Sequence, residues 1–266
     1  MDVTSIAWRT DLALLTASGS TVQDLGTHLL VTTPDNPEYH WGNFLLLRRP
    51  PLPGGAREAM GVFDSWFRDA RYRAIAIDNQ TIDGGVETAE FEQAGMDRDV
   101  SEVLAAERLL APSRPNVEAG FRPLTSDEWD KWVDLDLATY AGQDPRYTRT
   151  FVEGRARQEK RLVEAGLGRR WGAFVDGRLA ASAAAYDTGR GIFRFQSIVT
   201  HPRRRRQGLS STLLHLMTER ALTEGASTFV TVADPAGPAI GIYRALGLRT
   251  VETVTELNQN LPGEIA

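Results

Sequence analysis

The sequence predicts an α/β protein of two domains, and three observations carry that prediction. Short apolar strands alternate with amphipathic helical stretches along most of the chain. One stretch without hydrophobic periodicity, Ala111-Pro112-Ser113-Arg114-Pro115-Asn116, interrupts that alternation with two prolines. The chain has 266 residues, of which 42% are apolar and 24% charged, an ordinary globular composition with material for two cores. The expected domains are residues 1–115 and 116–266.

In the first domain, residues 29–32 and 44–47 are apolar enough for buried strands. Pro50, Pro51, Pro53, Gly54 and Gly55 then break structure. Residues 57–69 place Met60, Val62, Phe63, Trp66 and Phe67 at helical spacing, and residues 72–78 alternate like a strand. A second helix, from about Val86, is expected to end at Gly95 as its C-cap, and residues 99–110 supply a last strand. Trp41-Gly42-Asn43-Phe44 is the aromatic cluster best placed to meet a ligand, although core packing is the commoner fate of tryptophan.

In the second domain, Ser126 is the expected cap of a helix running to Tyr140, with Trp129, Trp132, Val133, Leu135 and Leu137 forming a broad apolar face. Asp144-Pro145 opens another helix, to about residue 165. Asp176-Gly177, between strands at 171–175 and 178–186, is a strong two-residue hairpin signal. Gly189 and Gly191 turn the chain into a strand over 192–199; a dinucleotide fingerprint would need a third glycine and a following helix. A loop with four consecutive arginines, Arg203 to Arg206, leads through Gly208 into a helix whose Leu209, Leu213, Leu214, Met217 and Ala221 share a face. A strand at 228–232, a helix at 239–246 and a strand at 248–257 close the chain.

The junction between the 192–199 strand and the next helix is where chemistry is expected. A helix start leaves backbone N–H groups unpaired with partial positive charge behind them, and an anion, above all a phosphate, sits well there. Neighbouring arginines add charge-assisted hydrogen bonds, about 1.5–3 kcal/mol each when desolvated. Gly208 is expected to let the backbone approach the ligand without a Cβ in the way. The rival reading of the arginine run is a solvated patch or a nucleic-acid contact. A net charge of −5 and a pI near 5.5 make the run a local feature of an acidic protein, against a general nucleic-acid binder.

At these residues a family resemblance enters. Val199-x-x-Pro202 followed by Arg205-x-x-Gly208-x-Ser210 resembles the R/Q-x-x-G-x-G/A pyrophosphate loop of the GCN5-related N-acetyltransferases (GNAT), with Ser210 standing where that family has Gly or Ala. Ile242-Tyr243-Arg244-Ala245-Leu246-Gly247-Leu248 resembles the family's L-Y-x-x-x-G-F segment. With the element order, the resemblance covers about residues 121–258. It implies the acyl-CoA N-acyltransferase fold, a mixed and mostly antiparallel sheet flanked by helices, and acetyl-CoA (coenzyme A) as cofactor. It implies that Arg205, Arg206, Gln207, Gly208, Leu209 and Ser210 face the diphosphate. It also implies that Ile198, Val199 and Thr200 offer main chain to the pantetheine arm, where their strand parts from its neighbour. By the same resemblance, Tyr243 is expected to act as general acid toward the departing thiolate. The family often places Asn early in the last helix, where this chain has Asp234-Pro235-Ala236-Gly237-Pro238. The base is left open: Gln196 cannot take a proton at neutral pH, and Asp134, Asp136 and Asp187 stand beside a water relay as alternatives.

The first domain resembles a shortened, diverged copy of the second, since Phe91-Glu92-Gln93-Ala94-Gly95-Met96 aligns with Tyr243 to Leu248. Phe91 has no hydroxyl where Tyr243 has one, and Pro50, Pro51 and Pro53 offer no N–H groups to a phosphate. A non-catalytic partner is therefore expected, with an unrelated α+β domain as the competing reading.

Composition excludes several chemistries. The chain has no cysteine, so disulfides, Cys-ligated zinc and a cysteinyl-acyl intermediate are ruled out. The four histidines lack metal-ligand spacing, and no metal site is expected. No run approaches membrane-spanning length and the N-terminus lacks a signal-peptide core, so a cytoplasmic protein without a membrane partner is expected. Lys131 and Lys160 are the only lysines, a bias toward arginine that points to a GC-rich bacterial genome. The expected activity is acetyl transfer to an amine of a small molecule or peptide by direct attack. A non-catalytic CoA-binding module is the alternative, and a homo-oligomer is left open.

Overall fold

The computed structural model describes residues 2–78, 88–140 and 147–261. The chain divides into two units. One holds residues up to Val103 with Val232–Pro235 and the chain from Thr250 onward; the other holds Leu104–Thr231 and Ala236–Arg249.

The first unit opens with a helix absent from the sequence expectation, α1 (Ile6–Ala17). Its buried residues Ala7, Trp8, Thr10, Leu12, Leu14 and Leu15 span too wide an arc for a clear helical stripe. Ser5 caps it, and Asp78 accepts the amides of Thr4 (2.8 Å) and Ser5 (2.9 Å). A meander follows of β1 (Thr21–Asp24), β2 (His28–Thr32) and β3 (Phe44–Leu47), with antiparallel pairing throughout. Helix α2 (Gly55–Trp66) then crosses over to β4 (Tyr72–Ile77), which lies parallel to β3. Helix α3 (Ala89–Gln93) and strand β5 (Asp97–Ala106) come next; Val86, the expected start of that helix, lies outside the described residues. The Trp41–Phe44 cluster packs inward, with Trp41 5.9 Å from Trp8 and 5.5 Å from the fully buried Phe44 between ring centroids.

The second unit begins with β6 (Gly120–Pro123), α4 (Trp129–Tyr140) and α5 (Arg149–Glu164). Thr148 caps α5 by accepting the Phe151 amide, while Asp144-Pro145 lies outside the described residues. At the foot of α4 the engaged side chain is Glu128, which accepts from Thr125 N–H (3.1 Å) and Arg122 (2.6 Å). Strands β7 (Gly168–Val175), β8 (Arg178–Asp187) and β9 (Ile192–Thr200) continue an antiparallel run from β6. Asp176 (φ 51°) and Gly177 (φ 71°) both take left-handed backbone between β7 and β8, as the tight hairpin requires. Helix α6 (Leu209–Thr223) crosses over to β10 (Thr228–Ala233), parallel to β9. Helix α7 (Ile240–Ala245) and β11 (Arg249–Asn260) finish the chain. Trp129, Trp132, Val133 and Leu135 of α4 form a core with Val152, Ala156 and Val199.

The closing strand corrects the expected division at residue 115. β11 runs antiparallel to β4, from Thr255 opposite Ile77 to Asn260 opposite Tyr72, and is buried over 252–255 and at Leu257. Pairing partner, not chain position, decides its unit, so the first unit ends at Val103 and takes back the C-terminal strand.

Along the sequence, β1 to β5 with α2 and α3, and then β7 to β11 with α6 and α7, each follow the order of three antiparallel strands, a crossover helix, a parallel strand, a short helix and a strand. The short repeat has a concrete meaning. Met96 N–H donates to Phe91 C=O (3.0 Å) and Gly95 N–H to Glu92 C=O (3.0 Å); Leu248 N–H donates to Tyr243 C=O and Gly247 N–H to Arg244 C=O, at 3.1 and 3.0 Å. With Gly95 at φ 89° and Gly247 at φ 90°, both are Schellman endings of a helix. That ending is common, so the shared element order, not the six-residue match, carries the likeness.

Candidate active site

The loop after β9 is shaped by two left-handed residues. Pro202–Arg204 makes one 3-10 turn, Arg206 takes φ 62°, and Gly208 takes φ 73° as the cap of α6. Among the described residues, nothing accepts a hydrogen bond from the N–H groups of Gln207, Gly208, Leu209, Ser210 or Ser211. Arg205 and Arg206 are exposed beside them, and Arg204 is turned aside to Asp176 at 3.2 Å. Unengaged amides, positive helix dipole and adjacent guanidinium groups suit a diphosphate.

Two residues act differently from expectation. The Leu209 side chain is 2% exposed, against Ala173, Ala180 and Ala181, so only its amide is on offer. A Cβ on Gly208 would meet the Arg114 carbonyl oxygen at 2.6 Å, so the glycine also makes room for the chain's own linker. Ser210, the departure from Gly or Ala, has its hydroxyl engaged by that of Thr200, tying the start of α6 to the end of β9.

The linker contributes Asn116, which sequence reasoning missed. Its Oδ1 accepts the amides of Glu118 (3.1 Å) and Ala119 (2.8 Å), its N–H donates to the Thr212 hydroxyl (2.8 Å), and its Nδ2 donates to the Gln207 carbonyl (2.9 Å). In a trans peptide the carbonyl and the next N–H point oppositely. Holding the Gln207 carbonyl against the linker therefore turns the Gly208 N–H the other way.

Beside the loop, β9 has an open edge. Its parallel pairing with β10 ends at Arg194–Val230, although β9 continues to Thr200. On the other edge, His201 N–H donates to Ala180 C=O (2.9 Å). Main-chain groups alternate along a strand. Val199, opposite Ser182, thus points its amide at β8, while Ile198 and Thr200 point theirs to the edge that β10 has left. Of the three residues expected to offer main chain, Val199 is corrected: its side chain is buried in the core and its amide faces the sheet. A bulge makes the alternation possible, since Gln196 stands opposite Ala184 and Val199 opposite Ser182, with Ser197 at φ 48° between.

Tyr243, on α7, is 6% exposed and hydrogen-bonds with Thr231 of β10. Burial pushes its phenol up to about 12 against the Thr231 hydrogen bond, with Tyr140 and Arg194 within electrostatic reach. Tyr140, at the end of α4, in turn feels Asp136, Arg155 and Arg205. α4, β9, the arginine loop and α7 thus converge around two tyrosines.

The three aspartates separate. Asp134 is on the surface, paired with Arg149 at 2.6 Å, and Asp187 accepts the Gly189 amide of a turn at 2.8 Å. Asp136 is fully buried, accepts from the Tyr147 hydroxyl and lies 3.5 Å from Arg155. Among the described residues there is no group of three or more His, Cys, Asp or Glu that could hold a metal ion. No helix there is long and apolar enough to cross a membrane.

The first unit repeats the helix start but closes it. Gly54 caps α2 at φ 87°, as Gly208 caps α6. There Glu90 accepts the amides of Gly54 (2.7 Å) and Ala56 (3.5 Å), and Gly55 N–H donates to Leu52 C=O (2.9 Å). An internal carboxylate fills the place of an anion.

The sequence profile of the Acetyltransferase (GNAT) family matches residues 129–248, from the first turn of α4 to the Schellman ending of α7. The chain carries a GNAT acetyltransferase domain. The family matched over these residues uses acetyl-CoA. Solved structures share the fold along nearly the whole chain. A GCN5-related N-acetyltransferase from Kribbella flavida is 18% identical, with a TM-score of 0.67 and 98% of each chain covered. A conserved protein of unknown function from Staphylococcus epidermidis is 10% identical, with a TM-score of 0.70, covering 92% of this chain and 95% of that one. A tandem GNAT protein from the clavulanic acid biosynthesis pathway is 16% identical, with a TM-score of 0.57, covering 95% of this chain and 89% of that one. A sequence search of curated proteins gives no match.

Proposed function

We propose that the second unit transfers acetyl from acetyl-CoA to a primary amine of a small molecule or peptide by direct attack, in the cytoplasm. The observation that carries this reading is the set of unengaged amides from Gln207 to Ser211, next to the edge of β9 that β10 has left. Bound acetyl-CoA supplies a thioester carbonyl that an amine attacks. Arg205, Arg206 and the amides of Gln207, Gly208, Leu209 and Ser210 hold the diphosphate. Ile198 and Thr200 offer main chain to the pantetheine arm, and the Ile198 N–H polarises the acetyl carbonyl.

Tyr243 would serve the departing sulfur. Its phenol, near 12, keeps its proton at every physiological pH. A thiol titrates near 8.5, so complete transfer from Tyr243 runs uphill by roughly 5 kcal/mol. Its role is therefore a hydrogen bond to sulfur as negative charge develops there, with the final proton arriving from solvent or from the acylated ammonium. The attacking amine loses its proton to water, so kcat/KM rises with pH toward the amine's own pKa, about 10.4 for an alkylamine.

The first unit is a non-catalytic partner. Its helix start is filled by Glu90, and Phe91 has no hydroxyl where Tyr243 has one. Calorimetric titration with CoA, followed by thiol release with a panel of amines, tests the whole reading. One CoA per chain and turnover of at least one amine support it; binding without turnover of any amine supports a CoA-binding module instead.

A further inference from the structure

Behind the bulge of β9 lies a buried polar network that the reaction described above does not use. Arg170 of β7 has a fully buried side chain and stands 4.1 Å over the Trp132 ring. It donates to Glu159 of α5, to the Ser182 hydroxyl (3.1 Å) and to the Ser197 carbonyl (3.3 Å). Glu159 also accepts from the Tyr186 hydroxyl (2.8 Å) and, through its other oxygen, from the Ser197 hydroxyl (2.9 Å). The Ser197 hydroxyl accepts from Arg155, whose other nitrogen donates to the Tyr147 hydroxyl (2.9 Å). The single proton of that hydroxyl goes to Glu159 and its lone pair to Arg155, so all three atoms are used consistently. Burial alone raises the Glu159 carboxyl, but the charges of Arg170 and Arg155 and the hydrogen bonds of Arg170 and Tyr186 outweigh it and hold it below the usual range.

Four non-glycine residues have left-handed backbone among the described residues. Asp176 and Arg190 sit in turns, and Arg206 in the loop before α6; Ser197 alone lies inside a strand. A residue with a Cβ holds that conformation only when its surroundings enforce it. The enforcing contacts are those of Arg155, Glu159 and Arg170. Since the Ser197 carbonyl is drawn to Arg170, the Ile198 N–H of the same peptide points the opposite way, to the open edge.

We propose that Ser197 is a positioning residue, clamped through its hydroxyl by Arg155 and Glu159 and through its carbonyl by Arg170, so that the Ile198 N–H is aimed at the acyl group. This rests on the acetyl-transfer reading, but its first readout does not. In the full-length protein without ligand, Ser197→Ala removes the hydroxyl and keeps the Cβ. Its Ile198 amide is expected to show a displaced NMR cross-peak, with the cross-peaks of α6 amides unchanged. With substrates, kcat falls at least tenfold while the Kd for CoA stays within about twofold. Ser197→Gly, which relieves the strained φ, reproduces both effects, because the clamp and not the strain aims the peptide.

An unchanged Ile198 amide in Ser197→Ala overturns the proposal whatever the enzyme does. So does an equal loss of CoA affinity and turnover accompanied by a lowered Tm, which marks a merely structural role. If wild-type protein binds no CoA, the acetyl-transfer reading fails on its own, and the Ile198 cross-peak still decides whether Ser197 sets that peptide.

Discussion

Tyr243 and Gly208 show how far a single residue's type explains its place. For Tyr243, a phenol at about 12 implies a hydrogen-bond role that does not titrate across the working range. Tyr243→Phe should lower kcat by about 10²-fold, the lower end of the range for a positioned proton donor. The Kd for CoA should stay within about twofold. The ratio of wild-type to mutant kcat should be constant from pH 7 to pH 10; a ratio that collapses near pH 10 would show an ordinary phenol and remove the burial argument. For Gly208, the sequence explains the residue type by its left-handed backbone but not its neighbour. An Ala there costs roughly 1–2 kcal/mol for the φ alone, and its Cβ strikes the Arg114 carbonyl. Gly208→Ala should therefore lower Tm as well as weaken CoA binding, and an unchanged Tm would contradict the close approach of the linker. Ser197 was beyond sequence reading because neither its backbone nor its burial follows from a serine in an apolar strand. Asn116 was missed for a similar reason, since its partners lie about 90 residues away in Gln207 and Thr212.

Elements were legible where local physics decides them. Asp176-Gly177 fixes a hairpin by left-handed backbone, and Gly95 and Gly247 end helices by the same freedom. The β9–loop–α6 junction was readable because arginine, glycine and helix periodicity fall together there. Helix α1 was not, because its apolar residues reach too far round and its start is held by Asp78 and Glu252, far away in sequence. The two Gly-capped helix starts then differ in what meets their amides. Glu90 supplies the anion at α2, while α6 keeps its amides open. Glu90→Ala removes a helix cap worth about 0.5–2 kcal/mol, so the thermal transition should fall. Calorimetry should still find one CoA per chain, since Pro50, Pro51 and Pro53 take three N–H donors out of that loop. A second equivalent of bound CoA in this variant would mean that Glu90 alone had closed the site.

At the scale of the whole chain, sequence order misleads about where a strand belongs. The proline-bearing linker reads as a boundary, and the elements after it follow the order of one GNAT domain, so a cut near residue 115 is the natural expectation. Yet β11 takes its partner from the first unit, six residue pairs with β4 from Thr255 to Asn260. A strand twelve residues long, buried over much of its length, cannot be left unpaired in water without offering its edge to another chain. A fragment of residues 116–266 therefore contains every residue assigned to acetyl-CoA and still lacks the strand that β11 pairs with. It should be recovered largely aggregated, or as oligomers by size-exclusion chromatography. Supplying residues 1–115 as a separate chain during refolding should restore soluble material and CoA binding together. A monomeric fragment 116–266 that binds CoA with the affinity of the full chain would show that β11 finds sufficient support without β4.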